Sequence, residues 1–387
     1  MIKKKLLLVP LLVALVFVLT GCGKNKEEAK QEQTNQPQNL QTIKLGVIAP
    51  LSGDAGVYGQ EVQKVLDYDL PEINSKAATL GKKFELVYED GKCAGPEAVT
   101  AFHKLVDVDG IKFIIGGMCS SETLAVAPLT KDSTSVLTTA VMSSNPAING
   151  ISPFSFTFSA NDDDIGKMLA KLMSGYKKIA IITEQNDYNI GVKKVWEKAL
   201  DQYPEVKIVA SETVPKGASD FRTVLGKIKK TQPEAIFLNP NGGVTAKILV
   251  KQMDEMGGWQ GIKLYSSISY IGEDTLSAAP SITDGMTIVD APKLTSPEFL
   301  SLKQKIETTP GSLSDIGDFG VAVATDNLTT VTNLILELGE NPQVVRDALA
   351  ARTFQGYVGK IYFGNNSFPD IAPAIFIVKD GKPVLQK

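Results

Sequence analysis

The residues of this chain that could carry reactive chemistry are few: three cysteines, one histidine and some clusters of serines and carboxylates. His103 stands in Ala101-Phe102-His103-Lys104-Leu105, a helical context, and no G-x-S-x-G elbow occurs, so a hydrolytic triad lacks its base. Neither C-x-x-C nor H-E-x-x-H is present, which leaves no metal-site spacing. Asp162, Asp163 and Asp164 stand at a helix start, where the helix dipole accounts for them without catalysis. The loop Pro50-Leu51-Ser52-Gly53-Asp54-Ala55-Gly56-Val57-Tyr58-Gly59 is glycine-rich. It has neither G-x-G-x-x-G nor a Gly-Lys-Ser/Thr phosphate loop. No enzyme activity, cofactor or metal is expected.

Binding chemistry is better represented. In Lys-Phe-Ile-Ile-Gly-Gly-Met-Cys-Ser-Ser-Glu-Thr-Leu-Ala-Val-Ala-Pro-Leu (112–129), Phe113, Ile114 and Ile115 form an unbroken apolar run, as in a strand buried on both faces of a parallel sheet. Gly116 and Gly117 turn the chain. Ser120 and Ser121 then stand where a helix begins and can satisfy its first N–H groups, with Glu122 favoured by the dipole. The carboxyl end of a buried strand leading into a helix is where open α/β sheets place ligands. Free amides and hydroxyls there suit a carboxylate. The bland alternative is an ordinary serine-capped joint.

The elements that position these residues alternate in type. Strands are expected at 43–49, 84–89, 113–115 and 135–139, with helices from Val62 to Leu70 and at 97–106 and 123–131. The apolar run 154–158 reads as the crossing into a second lobe. There helices 165–173, 192–202, 221–230 and 244–256 alternate with strands 178–183, 206–212, 235–238 and 262–266. Such alternation predicts parallel sheets with right-handed crossovers, arranged as two doubly wound Rossmann-like lobes of α/β class. After 286–289 the order changes to helices at 298–307, 318–338 and 344–350. Segments 357–363 and 374–378 then read as a terminal hairpin turning at Asn365-Asn366-Ser367.

The 387 residues, 43% hydrophobic and 21% charged, have ample core for two domains. The net charge of −3 gives no footprint for nucleic acid. Lys3, Lys4 and Lys5 precede an apolar run at 6–19 of about 14 residues, shorter than the roughly 20 a spanning helix needs, so it reads as an export signal. It ends in Leu19-Thr20-Gly21-Cys22, which resembles a bacterial lipobox whose cysteine is diacylated; a plain signal peptide is the alternative. Residues 23–41 are polar and read as a flexible tether. In an exported chain Cys93 and Cys119 are expected to pair, closing a loop worth on the order of 3 kcal/mol. A metal pair or a nucleophile is the weaker reading, since His103 has no companion ligands.

Hydroxyls, amides and aromatics gather at strand ends of both lobes: Tyr58, Met118 to Ser121, Met142 to Ser144, Glu184 to Tyr188, Asn239 to Gly243 and Ser266 to Tyr270. Strand-end loops converging from two lobes describe a cleft for a small polar ligand.

With these residues in view, the chain resembles the branched-chain amino-acid-binding (Leu/Ile/Val-type) family of periplasmic solute-binding proteins of ABC importers. The resemblance runs from Ile43 to the C-terminus. It rests on Ile-Ala-Pro-Leu-Ser-Gly-Asp-Ala-Gly-Val-Tyr-Gly (48–59), Glu-Asp-Gly-Lys-Cys (89–93), Gly-Gly-Met-Cys-Ser-Ser (116–121) and Ser-Asn-Pro (144–146). Family members place a disulfide at the two cysteine positions. The resemblance implies a type I periplasmic binding fold whose two lobes, 42–159 with 290–355 and 160–289 with 356–387, join by three crossings and close on the ligand. It implies further that Ser120 holds a ligand carboxylate with Met118 and Ser121 beside it. The Met142 carbonyl and Ser144 would hold an ammonium, and Tyr58 and Tyr188 would wall the pocket.

Two departures stand out. The family's acidic partner for the ammonium is missing from Ser266-Ser267-Ile268-Ser269-Tyr270, and the tyrosine usual in the 239–243 loop is replaced by Asn241 or its neighbours. Burying an ammonium without a counter-charge is costly. Either Glu184, Asp187 or Asp318 substitutes, or the ligand is not an α-amino acid. The expected protein is a monomeric extracytoplasmic lipoprotein, anchored to the membrane through Cys22, that passes a small amino acid, carboxylate or amide to a branched-chain-type ABC permease. A sensory receptor signalling to a membrane partner is the rival class, and a cleft enzyme comes third.

Overall fold

A computed structural model of the chain describes residues 40–267, 272–308, 313 and 316–386. The export signal, Cys22, nearly all of the tether and Ile268 to Tyr270 lie outside the described residues.

The first lobe opens with β1 (Gln41–Ala49), α1 (Gly56–Ala78), β2 (Lys82–Asp90), α2 (Gly95–His103), β3 (Phe113–Ile115), α3 (Ser120–Val126), β4 (Leu137–Ala140) and β5 (Ser155–Thr157). Its five strands form one parallel sheet in the order β2-β1-β3-β4-β5. Leu45, Val47, Phe113 and Ile115 bury one face of that sheet, and Ile48 and Ile114 the other. Burial on both faces is why these strands read as continuous apolar runs.

The second lobe follows with α4 (Asp162–Met173), β6 (Lys178–Glu184), α5 (Asp187–Leu200), β7 (Lys207–Val214), α6 (Arg222–Thr231), β8 (Ala235–Asn239), α7 (Val244–Met256), β9 (Lys263–Ser267), the short α8 (Glu273–Leu276) and α9 (Pro280–Thr283), and β10 (Thr287–Asp290). The chain then returns through α10 (Pro297–Glu307), α11 (Gly317–Leu338), α12 (Pro342–Ala351), β11 (Phe354–Gly356) and β12 (Gly359–Ile361). It ends in β13 (Ala374–Lys379) and β14 (Lys382–Leu385). The second sheet has the order β14-β13-β10-β9-β8-β6-β7. It is parallel from β7 to β10 and antiparallel at β13 and β14.

Three crossings join the lobes. Thr157 ends the first sheet just before α4 enters the second lobe. Asp290 ends β10 before α10 packs Phe299, Leu302 and Ile306 into the first core. After β12, Phe363 still packs into the first core and β13 joins the second sheet.

Two expectations need correction. The run 154–158 is not merely a crossing, because Ser155–Thr157 pairs in parallel with β4 as the edge strand of the first sheet. Segments 357–363 and 374–378 do not pair with each other. Phe363 is fixed edge-on against Phe156 and Phe158, at ring-centroid distances of 5.1 and 5.2 Å. The terminal hairpin is instead β13–β14, turned by Asp380 and Gly381 at φ of 51° and 69°. That is the left-handed pair a two-residue turn between antiparallel strands requires.

Helix boundaries also shift. Residues 123–131 divide into α3, which begins three residues earlier, and a 3₁₀ turn at Ala127–Thr130. The helix expected at 97–106 gives way after His103 to a wider π turn, Lys104–Val108.

Candidate functional site

The strands of the two sheets point their carboxyl ends at one cavity of about 1110 Å³. From the first lobe it is lined by Tyr58, Met118, Ser120, Ser121, Met142 and Ser144. From the second come Asp187, Tyr188 and Asn241. Each ligand residue expected from the sequence thus reaches one space. Asp318 also lines it, but Lys303 pairs with its carboxylate at 2.6 Å. Glu184 does not: it is buried, and its two oxygens accept the N–H groups of Gly217 (2.9 Å) and Asn241 (2.6 Å). Its carboxyl group ties two loops together behind the wall.

Close backbone approach builds the first-lobe wall. A Cβ at Gly59 would lie 1.9 Å from the Pro50 carbonyl oxygen, so only glycine lets α1 start against the strand-end loop. The ends of β3 and β4 are tied by hydroxyls. Thr123 Oγ1 and Ser143 Oγ share a hydrogen bond at 2.5 Å, and both lie within hydrogen-bond distance of the Gly117 carbonyl, at 2.9 and 3.0 Å, to which the hydroxyl that accepts can donate. Thr157 Oγ1 donates to the Ser143 carbonyl at 2.6 Å.

The cap of α3 is not a serine. Cys119 is the N-cap, and Glu122 Oε2 accepts from its N–H at 2.9 Å. Glu122 Oε1 accepts from the Cys93 N–H at 3.0 Å. One buried carboxylate therefore holds the backbone of both half-cystines, and Cys93 and Cys119 are joined, with Cα atoms 5.3 Å apart. Burial pushes Glu122 up to about 7 against the pull of these amides. Spacing Glu122 three residues from its cap is the signal that could have revealed this role. Ser121 Oγ donates to the Cys93 carbonyl at 2.9 Å, and Ser120 Oγ accepts from the Asn145 N–H at 3.3 Å.

The lobes touch across the cavity. Lys216 Nζ donates to the Cys93 carbonyl at 3.2 Å, and Asn145 Nδ2 donates to the Asp187 carbonyl at 2.6 Å. A Cβ at Gly243 would lie 2.8 Å from the Tyr58 hydroxyl. Tyr188 Oη and Ser267 Oγ are 3.2 Å apart. Lys216 and Asp290, both on the cavity wall, were missed by sequence reasoning. Lys216 sits in an unremarkable Pro-Lys-Gly turn, while Asp290 ends an apolar strand, which was the available signal. His103 lies on the surface beside Asp107, at 2.7 Å. Among the described residues no cluster has the composition of a metal site. No helix among them is long and apolar enough to cross a membrane.

Two α/β lobes joined by three crossings, with one cavity at the strand ends between them, have the architecture of a bilobed solute-binding protein. The chain belongs to the periplasmic binding protein family, whose profile matches residues 42–377. It is 27% identical over 226 residues to an amino acid binding protein of Pseudomonas aeruginosa, covering 56% of this chain and 59% of that one. It is 24% identical to the Leu/Ile/Val-binding protein homolog 2 of Brucella abortus, covering 88% and 92%. Among solved structures, a leucine-binding protein of Thermotoga maritima superposes with a TM-score of 0.76 at 19% identity, covering 89% and 98%. A solute-binding protein of an R. palustris ABC transporter, in complex with 4-hydroxybenzoate, gives 0.77 at 21%, covering 89% and 96%. At these identities the structural likeness concerns the fold.

Proposed function

We propose that this chain is the extracytoplasmic receptor of an ABC importer, which closes its lobes on an amino acid or related small carboxylate and presents it to a branched-chain-type permease. One observation carries the reading: side chains from both lobes line one cavity of about 1110 Å³, with polar groups on both walls. A ligand that touches both walls favours the closed state by its differential affinity for that state. Ser120 and Ser121 receive the carboxylate, Met142 and Ser144 the other polar end, and Tyr58, Tyr188, Asn241 and Met118 enclose the body.

The lobes divide at 42–159 with 290–355 and 160–289 with 356–387. The packing of Ile361 and Phe363 in the first core supports moving the last boundary beyond residue 363. Residues 1–22 direct export, Cys22 carries lipid and 23–41 tether a monomer to the membrane. Leu19-Thr20-Gly21-Cys22 supports that part, and fatty-acid labelling that persists in Cys22→Ser would overturn it. The receptor role is tested by growth of a deletion strain on branched-chain amino acids as sole nitrogen source. Loss of uptake restored by this chain supports the role, and unimpaired uptake of every candidate solute contradicts it.

A further inference from the structure

Two buried carboxyl groups stand at the hinge, and neither has an ion-pair partner among the described residues. Asp162 opens α4 just after the first crossing, and Asp290 closes β10 just before the second. Their relative exposures are 0% and 6%. Asp162 is tied twice to Ser144: its N–H donates to the Ser144 carbonyl at 3.0 Å, and its Oδ2 accepts from Ser144 Oγ at 2.8 Å. Asp162 Oδ1 has no hydrogen-bond partner among the described residues. Asp290 Oδ1 accepts from the Ala291 N–H at 2.6 Å. Neither carboxyl is ion-paired among the described residues, and Asp290 is the charge that acts on Asp162. Burial pushes both up to about 7. Each carboxyl has a donor but no ion-pair partner among the described residues, and a buried carboxylate without a cation costs several kcal/mol, so the pair suits a positive group.

The cavity reaches this pair, because Ser144, Ser159 and Asp290 line its wall. The Ser144 hydroxyl has committed its proton to Asp162, so its oxygen offers the cavity lone pairs. An ammonium has three donors and no acceptor. Asp290, the Ser144 oxygen and the Met142 carbonyl would supply three acceptors on one wall.

We propose that Asp290 is the counter-charge for a primary ammonium on the solute, with Asp162 a positioning residue that holds Ser144 as an acceptor. This rests on the receptor reading and narrows it, from small carboxylates in general to solutes that also bear an amine. Glu184 is committed to two amides; of the other carboxylates on the cavity wall, Asp318 and Glu307 pair with Lys303 and Asp274 with Lys247, which leaves Asp187 as the competing carboxylate.

The test is calorimetric titration of the intact receptor, stripped of co-purified solute, with the twenty amino acids. Each binder is compared with its deaminated acid and its decarboxylated amine; for leucine these are 4-methylpentanoate and 3-methylbutylamine. The amino acid should bind at least about tenfold more tightly than the deaminated acid, the scale of one charged hydrogen bond. Asp290→Asn should erase that preference while leaving the deaminated acid within about threefold, and Asp187→Asn should not. Asp162→Asn should reduce the same preference in part, and serves if Asp290→Asn fails to fold. A preference that survives Asp290→Asn or disappears in Asp187→Asn overturns the proposal. So does binding of benzoate or 4-hydroxybenzoate with no amino acid bound, although the receptor reading then stands. If folded protein binds nothing in either set, the receptor reading itself falls.

Discussion

Lys216 in the second lobe donates from Nζ to the main-chain carbonyl of Cys93 in the first, across the mouth of the cavity at 3.2 Å. The same carbonyl accepts from Ser121 Oγ at 2.9 Å, so the latch ends on a residue of the ligand wall. A hydrogen bond that exists only when the lobes meet contributes to the closed state alone. Lys216→Met should therefore weaken solute binding about threefold to tenfold, mainly through faster release. Stopped-flow release rates check this. An unchanged rate with lowered thermal stability would assign Lys216 to folding instead.

Ser120 lies on the cavity wall and receives the Asn145 N–H at 3.3 Å, so its hydroxyl proton remains to be donated. Ser120→Ala should cost a bound carboxylate about 1–3 kcal/mol. Titration with an amino acid and with its amide checks it: the amide should lose less. Equal losses would place the carboxylate elsewhere.

The disulfide closes a sequence separation of 26 residues around β3, and Glu122 holds the N–H of each half-cystine. Replacing both cysteines by serine should lower stability on the order of 3 kcal/mol, measured by urea unfolding. Glu122→Ala should add to that loss, since it strands two amide donors.

Asp69 and Asp326 are raised by burial to about 6, and Glu122, Asp162 and Asp290 to about 7. Each binds a proton more tightly folded than unfolded, where carboxyl groups titrate near 4. Between about pH 4 and pH 7 the folded state thus holds more protons, and stability falls as pH rises through that window. The melting temperature should be higher at pH 5 than at pH 8. Asp162→Asn and Asp290→Asn should each flatten the slope. A slope of the opposite sign would mean that these groups are ionised and paired in the folded protein.

Much of this was legible because strands buried on both faces cannot alternate. Phe113-Ile114-Ile115 and the apolar core of 178–184 announce themselves, and α7 begins and ends at the expected Val244 and Met256. The pairing of Cys93 with Cys119 followed from the export signal and the family resemblance, and eight expected residues at strand ends gather on one cavity. Less visible was anything decided by partners distant in sequence. Ser155–Thr157, with one apolar residue of three, does not read as a strand until β4 lies beside it. Phe363 takes its place from Phe156 and Phe158, about two hundred residues earlier. The Asp380-Gly381 turn was a local signal left unused. Glu184 looked like a candidate counter-charge because its amide partners, Gly217 and Asn241, arrive from other loops.

The most direct test of the central claim is calorimetric titration of the stripped protein lacking residues 1–22 with leucine, isoleucine and valine. Saturable binding of one solute per chain, weakened at least about tenfold on combining Ser120→Ala with Lys216→Met, is the predicted result. A folded protein that binds none of the three, nor any other amino acid or small carboxylate, would contradict the account.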